Sequence, residues 1–258
     1  MNKKDIAIKL KDLEIGFVDY LIAKNVSLSI KENEFVLVTG PKNSGKTTFI
    51  ETIIGLIKPL SGHIHVFNNR TFLDYKHLIG YIPQDIKINY GSYNILDVVL
   101  MGIISKKPWF PKITKKDKSL AKESLKNVGL DLSINTLFSE LSQSDRIKCL
   151  IARALVDKQK ILILDEIESG LDFKSKSELL SLLNNLKEKK DITFLVSTKE
   201  FNLFNSITDK VIFLAKDDKK LSFGEPKDII TNQLLNETYN TELKSLKLDK
   251  GKVYINYN

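Results

Sequence analysis

The chain has a single cysteine, Cys149, among its 258 residues. No internal disulfide can form, and a lone thiol suits a reducing compartment. Long hydrophobic runs are missing too. The most apolar stretch, Val98–Met101 with Ile103 and Ile104 beyond Gly102, falls far short of the roughly 20 residues that a membrane-spanning helix needs. The opening Met1-Asn2-Lys3-Lys4-Asp5 is charged with no apolar segment behind it, so no secretory signal is expected there. Any contact with a membrane is therefore expected through a partner. Arginine is scarce: Arg70, Arg146 and Arg153 stand alone, although Lys and Arg together number 40 against 32 Asp and Glu, a formal charge of +8. Such a charge raises nucleic acid or an anionic membrane surface as partners. Reading base edges favours arginine forks, however, and no helical face here interleaves basic residues with aromatics. Direct nucleic-acid binding is not expected, and the lysine excess reads as compositional bias. The remainder, 42% hydrophobic and 28% charged, is ordinary for a globular protein. Its length allows one large domain with a buried core, or two small ones.

The hydrophobic pattern is that of an α/β chain. Residues 5–30 alternate apolar and polar in short runs (Ile6-Ala7-Ile8-Lys9-Leu10, then Val26-Ser27-Leu28-Ser29-Ile30), which predicts an antiparallel pair of strands. Phe35-Val36-Leu37-Val38 is continuous and largely β-branched, as a strand buried on both faces requires. A Gly-rich turn follows, then a helix from about Thr47 to Leu56. Residues 92–130 change character. Ile95, Val98, Val99 and Ile103 recur at helical spacing, and a second helix is expected from about Lys115 to Val128. The segment 86–155 therefore reads as a helical insertion, with Leu150–Leu155 on a further helix. Ile161–Leu164 and Phe194–Val196 read as buried strands. Beyond Gly224 a Lys-rich tail, 224–258, carries a hairpin near 246–256.

Chemistry enters at Gly40-Pro41-Lys42-Asn43-Ser44-Gly45-Lys46-Thr47. This is the G-x-x-x-x-G-K-[ST] phosphate loop, in its confirming context of a buried strand before and a helix after. Glycines let backbone N–H groups turn inward around phosphates, and the helix N-terminus adds its positive dipole end. Lys46 is expected to reach the β- and γ-phosphates, and the Thr47 hydroxyl to ligate Mg²⁺. The run Ile161-Leu162-Ile163-Leu164 ends in Asp165-Glu166. An acidic pair after a strand is by itself an ordinary solvated strand end. Downstream of a phosphate loop it reads instead as a Mg²⁺ ligand, Asp165, and a residue that polarises the attacking water, Glu166.

In this order the motifs resemble the ATP-binding subunits of ABC transporters, and the resemblance covers nearly the whole chain. It implies an α/β phosphate-loop NTPase core with an antiparallel β subdomain and a helical insertion, all in one ABC domain over 1–258. It implies that ATP is held by Phe17, stacked on adenine, and by Gly40, Pro41, Lys42, Asn43, Ser44, Gly45, Lys46, Thr47 and Thr48. Tyr81-Ile82-Pro83-Gln84 looks like the glutamine loop, with Gln84 meeting Mg²⁺ and the attacking water. Mg²⁺ would thus be held by Thr47, Gln84 and Asp165. Leu141-Ser142, followed by Ile151-Ala152-Arg153-Ala154-Leu155, matches the frame of the signature helix, which caps ATP bound to the other subunit. Ser169-Gly170-Leu171-Asp172 resembles the loop that crosses the dimer interface. The implied partners are a second ATP-binding subunit, itself or a paralogue, and a transmembrane permease that holds the protein at the inner face of the cell membrane. A groove between Gln84 and Asp97–Met101 is expected to receive a cytoplasmic helix of that permease. Within the family, Asp97-Val98-Val99-Leu100-Met101-Gly102 followed by Trp109-Phe110 is similar to the zinc, manganese and iron importers. Gly224-Glu225-Pro226, with Asp228-Ile229-Ile230 and Tyr239 beyond, is similar to that branch and to the iron–siderophore importers.

Two departures bear on hydrolysis. The signature of the family reads Leu-Ser-Gly-Gly-Gln, whereas this chain has Leu141-Ser142-Gln143-Ser144-Asp145. Side chains replace glycines that let backbone N–H groups approach the γ-phosphate, and Asp145 brings a negative charge toward a triphosphate. Two unit charges about 4 Å apart repel by about 4 kcal/mol at an effective dielectric of about 20, before salt and Mg²⁺ weaken it. In addition, Lys199 follows Val196-Ser197-Thr198 where the family has its switch histidine. Lysine can donate to a phosphate or pair with Glu166, but it offers no neutral nitrogen to orient a base. Asn43 for the inner glycine of the phosphate loop and Ile167 for a proline are milder changes, since asparagine tolerates left-handed backbone. ATP binding is thus expected intact and hydrolysis slowed. Catalytic roles fall to Glu166, Gln84 and Lys199. The alternatives are an ATP-regulated binding module with little turnover, or a non-transport ABC ATPase.

Overall fold

The computed structural model describes residues 5–69, 71–85, 90–104, 112–189, 191–216, 221–239, 243–248 and 251–256. In chain order it runs through strands β1 (Ile6–Phe17), β2 (Tyr20–Lys31) and β3 (Phe35–Thr39), helix α1 (Lys46–Ile53), strand β4 (Ser61–Val66), the single-turn helix α2 (Phe72–Tyr75) and strand β5 (Ile79–Ile82). Helices α3 (Ile95–Ile104), α4 (Lys115–Asn127) and α5 (Gln143–Leu155) follow, then strand β6 (Ile161–Asp165) and helix α6 (Phe173–Lys189). The rest comprises β7 (Thr193–Ser197), the short α7 (Phe201–Phe204), β8 (Lys210–Leu214), β9 (Leu221–Gly224), the short α8 (Pro226–Ile229), α9 (Asn232–Tyr239), β10 (Leu243–Leu248) and β11 (Gly251–Asn256). Two compact units divide them, one drawn from Met1–Lys76 with Lys187–Asn258 and one from His77–Leu186.

In the first unit β1 pairs antiparallel with β2, Leu10 facing Leu28, and on its other side with β4, Leu10 facing Ile64. Alternation sends Ile8 and Leu10 into the core, as period-2 side-chain geometry requires, and Leu13 and Ile15 resume it after the register shift between Leu10 and Leu13. Strands β7, β3 and β8 are parallel neighbours, with β9 antiparallel on β8. Every residue of β3 and β7 is buried. Two covered faces leave no polar side for a strand, which explains their unbroken apolar runs. Phe35 stacks on Phe194 with ring centroids 5.2 Å apart, and the Phe35 amide donates to Asp209 Oδ2 at 2.8 Å. Helix α1 stops short of the expected Leu56. The Ile54 N–H bonds the Ile50 carbonyl, and Gly55 turns left-handed at φ 73° to close the helix, the residue best suited to that conformation. The expected hairpin is β10–β11, paired from Leu243 with Asn256 to Leu248 with Gly251.

The second unit pairs β5 parallel to β6, Ile82 beside Leu164, and builds the helical insertion around them. The second expected helix is α4. Thr114 and Asp117 form its capping box: the Thr114 amide donates to Asp117 Oδ2 at 2.7 Å and the Asp117 amide to Thr114 Oγ1 at 3.2 Å, satisfying donors that the helix start leaves over. Helix α5 lies close to its neighbours. A Cβ on Gly80 would stand 2.3 Å from the Ala154 carbonyl oxygen, and one on Gly102 would stand 2.2 Å from that of Arg153. Ser124 Oγ joins α4 to α5 by donating to the Ala152 carbonyl at 2.7 Å. Cys149 is fully buried beneath α3, and burial pushes its thiol up to about 12, so it is a packing residue. Trp109 and Phe110 lie outside the described residues.

Candidate functional site

The phosphate loop leaves the end of β3 in the first unit, and its backbone explains its sequence. Gly40 has φ 148°, and a Cβ there would meet the Leu214 carbonyl oxygen at 2.3 Å and Ser44 Oγ at 2.9 Å. Gly45 has φ 91°, and its Cβ would strike Ile22 Cγ2 at 2.4 Å. Between them Asn43 adopts φ 64°, a left-handed conformation that asparagine tolerates better than other side chains. Ser44 closes the turn by donating its amide to the Pro41 carbonyl at 3.2 Å. Helix α1 then starts at Lys46 with no side-chain cap and no acidic residue in its first turn. No acidic residue of its own first turn competes for its leading N–H groups and dipole, which suits that turn to an anion.

The Lys46 side chain is only 5% exposed and reaches back over the loop, its Nζ donating to the Gly40 and Pro41 carbonyls at 3.1 Å each. A phosphate in the loop would meet this buried ammonium at short range, where charge pairs strongly. Ser44 Oγ is buried with no hydrogen-bond partner, a second polar group suited to a polar ligand in the loop. Thr47 and Thr48 are half-buried on the first turn of α1. Lys42 and Asn43 are exposed.

Two other expected residues belong to the same unit. Strand β7 runs parallel beside β3, with Ser197 opposite Val38. The Thr198 amide donates to the Val38 carbonyl at 3.0 Å, and Thr39 Oγ1 donates to the Thr198 carbonyl at 3.1 Å. Lys199, the next residue, therefore leaves at the strand end from which the phosphate loop springs, and it is exposed. Phe17 closes β1 with 52% of its surface exposed. It pairs with Tyr20 across the tight β1–β2 turn, two residues from Ile22, the residue against which Gly45 packs. An aromatic ring this exposed is available for stacking.

The second unit holds the remaining residues. Asp165 and Glu166 are both buried at the end of β6. Glu166 has φ 46°, an uncommon backbone for a side-chain-bearing residue, of the kind that marks functional sites. Gln84 leaves the adjacent β5 at the same end, two residues beyond the Ile82–Leu164 register pair, and is exposed. Gln84 and Glu166 both line a cavity of about 640 Å³, together with Tyr90, Phe138, Ser139, Gln143, Arg146, Ile147 and Leu150. Its aromatic wall is preformed. Tyr90 and Phe138 meet edge to face at 5.4 Å, the Arg146 guanidinium lies 5.9 Å over Phe138, and Arg153 sits over Tyr90 and donates to its hydroxyl. Residues 97–101, expected to form a groove with Gln84, do not line this cavity. Val98, Val99 and Leu100 are buried, and it is Tyr90, Phe138 and the start of α5 that face Gln84.

The altered signature is the start of α5. Ser142 caps it, accepting from the Asp145 amide at 3.1 Å and donating its hydroxyl to Asp145 Oδ2 at 2.8 Å. Asp145 also pairs with Lys148 at 3.2 Å, so its charge, expected bare, has a counter-ion on its own helix. Gln143 is exposed, while Ser144 Oγ donates to Glu178 Oε2 at 2.8 Å. Asp172 caps α6, accepting from the Ser175 amide at 2.7 Å. That bond, followed by one to the Ser175 hydroxyl, holds its carboxyl below the ordinary carboxylate value.

A family profile described as ABC transporter matches residues 23–169. The chain belongs to the ABC transporter family. It is 31% identical to an uncharacterized ABC transporter ATP-binding protein of Methanocaldococcus jannaschii, over 96% of this chain and 90% of that protein. It is 29% identical to the manganese transport system ATP-binding protein MntB of Bacillus subtilis, over 93% of this chain and 95% of the relative. Among solved structures, a bacterial ABC transporter cassette determined as a dimer is similar at TM-score 0.70 and 27% identity, covering 84% of this chain and 98% of the cassette. The phosphate-loop NTPase fold and ABC-type ATP hydrolysis follow from that membership.

For an ABC ATPase the informative surprises are the partners of known motif residues. The Ser144–Glu178 contact spans 34 positions, and Arg153 and Tyr90 meet across 63, so neither has a local signal. Lys148 beside Asp145 was open to view, because residues three apart share a helix face.

The loop geometry predicts the behaviour of Asn43. Replacing it with valine should destabilise the nucleotide-free chain by about 1–2 kcal/mol, the cost of forcing a β-branched residue left-handed. Asn43→Gly should stay within about 0.5 kcal/mol of wild type. Urea unfolding of the purified variants measures both, and equal stabilities for valine and glycine would refute the loop conformation.

Proposed function

We propose that this chain is the ATP-binding and hydrolysing subunit of a metal-ion or metal-chelate importer, working at the inner face of the membrane. The observation that carries the nucleotide assignment is the phosphate loop, with a buried Lys46 folded over the Gly40 and Pro41 carbonyls and an unpartnered Ser44 hydroxyl. Lys46 and the N–H groups of the loop bind the phosphates, Phe17 stacks on adenine, and Thr48 continues the contact along α1. Thr47, Asp165 and Gln84 offer hard oxygen donors of the kind Mg²⁺ takes when it arrives with a triphosphate. Glu166 accepts a proton from the attacking water, and Lys199 donates to the γ-phosphate.

The chain pairs over ATP with a second ATP-binding subunit, itself or a paralogue. Ser142, Gln143, Ser144 and Asp145 meet the nucleotide of the other subunit, and Asp172 lies on the crossing loop. A permease supplies the membrane-spanning part. Among the described residues no helix is long and apolar enough to cross a membrane. The groove walled by Tyr90, Phe138 and Arg146 is the docking place for a cytoplasmic helix, since it offers apolar faces rimmed by hydrogen-bonding groups. Metal as the solute class rests on likeness to the manganese relative. A second reading, a binding module that turns over little ATP, is favoured by Lys199 and by the side chains in the signature.

ATP with Mg²⁺ should raise the melting temperature of the wild type, and Lys46→Ala should abolish that shift. An undiminished shift in Lys46→Ala would remove the phosphate-loop assignment.

Ser139→Glu and Arg146→Glu should release the chain from membranes of its native cell while leaving the ATP-induced thermal shift intact. Membrane retention of both variants would overturn the docking assignment.

A further inference from the structure

Where the ABC family keeps two flexible glycines, this chain has Gln143, which is exposed, and Ser144, which has an internal partner, as has Asp145 after it. Ser142 and Asp145 cap α5 reciprocally. Lys148 Nζ bridges two carboxylates, Asp145 Oδ1 at 3.2 Å and Glu178 Oε2 at 3.4 Å. The same Glu178 Oε2 accepts from Ser144 Oγ at 2.8 Å. Glu178 belongs to α6, the helix that begins directly after Asp172 and is capped by it. One carboxylate thus joins the first turn of the signature helix to the helix that carries the crossing loop at its head.

We propose that Glu178 is the positioning residue of this altered signature, holding Ser144 and Lys148 so that the loop keeps one conformation in which it can cap ATP on a second subunit. Glycines need no such hold, because they carry no side chain to place. With Ser144 in place of the second glycine and Asp145 in place of the glutamine after it, an untethered loop would present a hydroxyl in varying rotamers and a carboxylate with its counter-ion elsewhere. Lys148, drawn to Asp145 and Glu178 together, keeps a positive charge beside Asp145 where a triphosphate would otherwise meet bare negative charge. The Ser144 hydroxyl, and after it Lys148, holds the Glu178 carboxyl below the ordinary carboxylate range, so the acceptor stays ionised at neutral pH. The group is half-exposed, and its strength lies in sharing one carboxylate between two donors. This inference rests on the reading in which residues 142–145 face the nucleotide of another subunit.

The test uses the full chain carrying Glu166→Gln, which is expected to trap the ATP-bound dimer, with dimer formation followed by sedimentation as Mg-ATP is raised. Adding Glu178→Ala should raise the ATP concentration at half-dimerisation about fivefold, the scale of a partly exposed hydrogen-bonded ion pair. The ATP-induced thermal shift, which reads the chain's own phosphate loop, should not change. Glu178→Gln, which keeps an acceptor for Ser144, should recover part of the loss. In a Ser144→Gly background Glu178→Ala should cost much less, since one of its donors is gone. An unchanged half-point, or the same loss in both backgrounds, would overturn the inference and leave the proposed function standing. A Glu166→Gln parent that binds ATP by thermal shift yet never dimerises would overturn the ATP-driven pairing and this inference with it.

Discussion

A side chain at Gly40 would stand 2.3 Å from the Leu214 carbonyl oxygen, and the nucleotide-binding half of the molecule is arranged around that close approach. Strand β3 ends against β8, the chain reverses through left-handed backbone at Asn43 and Gly45, and α1 begins with its amides uncapped. The turn is affordable only because β3 is fully buried and its neighbours β7 and β8 hold it in parallel register. The same register carries Thr198 to hydrogen-bond distance of Thr39 and so sets Lys199 beside the loop. Burying Lys46 over two carbonyls leaves the loop ready for a phosphate.

The two halves of the chemistry have diverged differently from the ABC pattern. The groups proposed to bind ATP follow the ABC pattern, and Asn43, where that pattern has a glycine, takes up φ 64°. The groups proposed to arrange hydrolysis differ in type from that pattern, with lysine for histidine at 199 and three altered residues in the signature. The structure moderates the second change. Asp145 is paired with Lys148 and Ser144 is committed to Glu178, so the repulsion expected from an isolated Asp145 is reduced. The proposal of slow hydrolysis therefore leans more on Lys199 than on charge at the signature.

Much of this was legible in the sequence, for identifiable reasons. Strands buried on both faces announce themselves as unbroken apolar runs, and Phe35–Val38, Ile161–Leu164 and Phe194–Val196 are all such strands. The β1–β2 pair showed in its alternation, and α4 in its apolar spacing. Helix α6 was passed over although Leu179, Leu182, Leu183 and Leu186 keep helical spacing, because serine, asparagine and lysine dilute the stripe. Strands β5 and β9, at four residues each, are too short to establish a period. That Asp97–Met101 does not line the cavity beside Gln84 had no signal in the sequence, because an apolar helix face reads alike whether it is open or, as in α3, covered by its own chain. Contacts such as Ser144 with Glu178 depend on the packing of α5 against α6 and have no local signature.

The central claim is that this chain binds ATP normally and hydrolyses it slowly. Steady-state phosphate release from the purified chain at saturating Mg-ATP tests it most directly. The wild type should turn over well below the ~1–10³ per second of ordinary enzymes, because positioning and general-base assistance are worth roughly 10²–10⁴-fold each. Combining Lys199→His with Gln143→Gly, Ser144→Gly and Asp145→Gln should raise the rate, by more than either repair alone. A wild type that already releases phosphate at ordinary rates, with repairs that change nothing, would contradict the account.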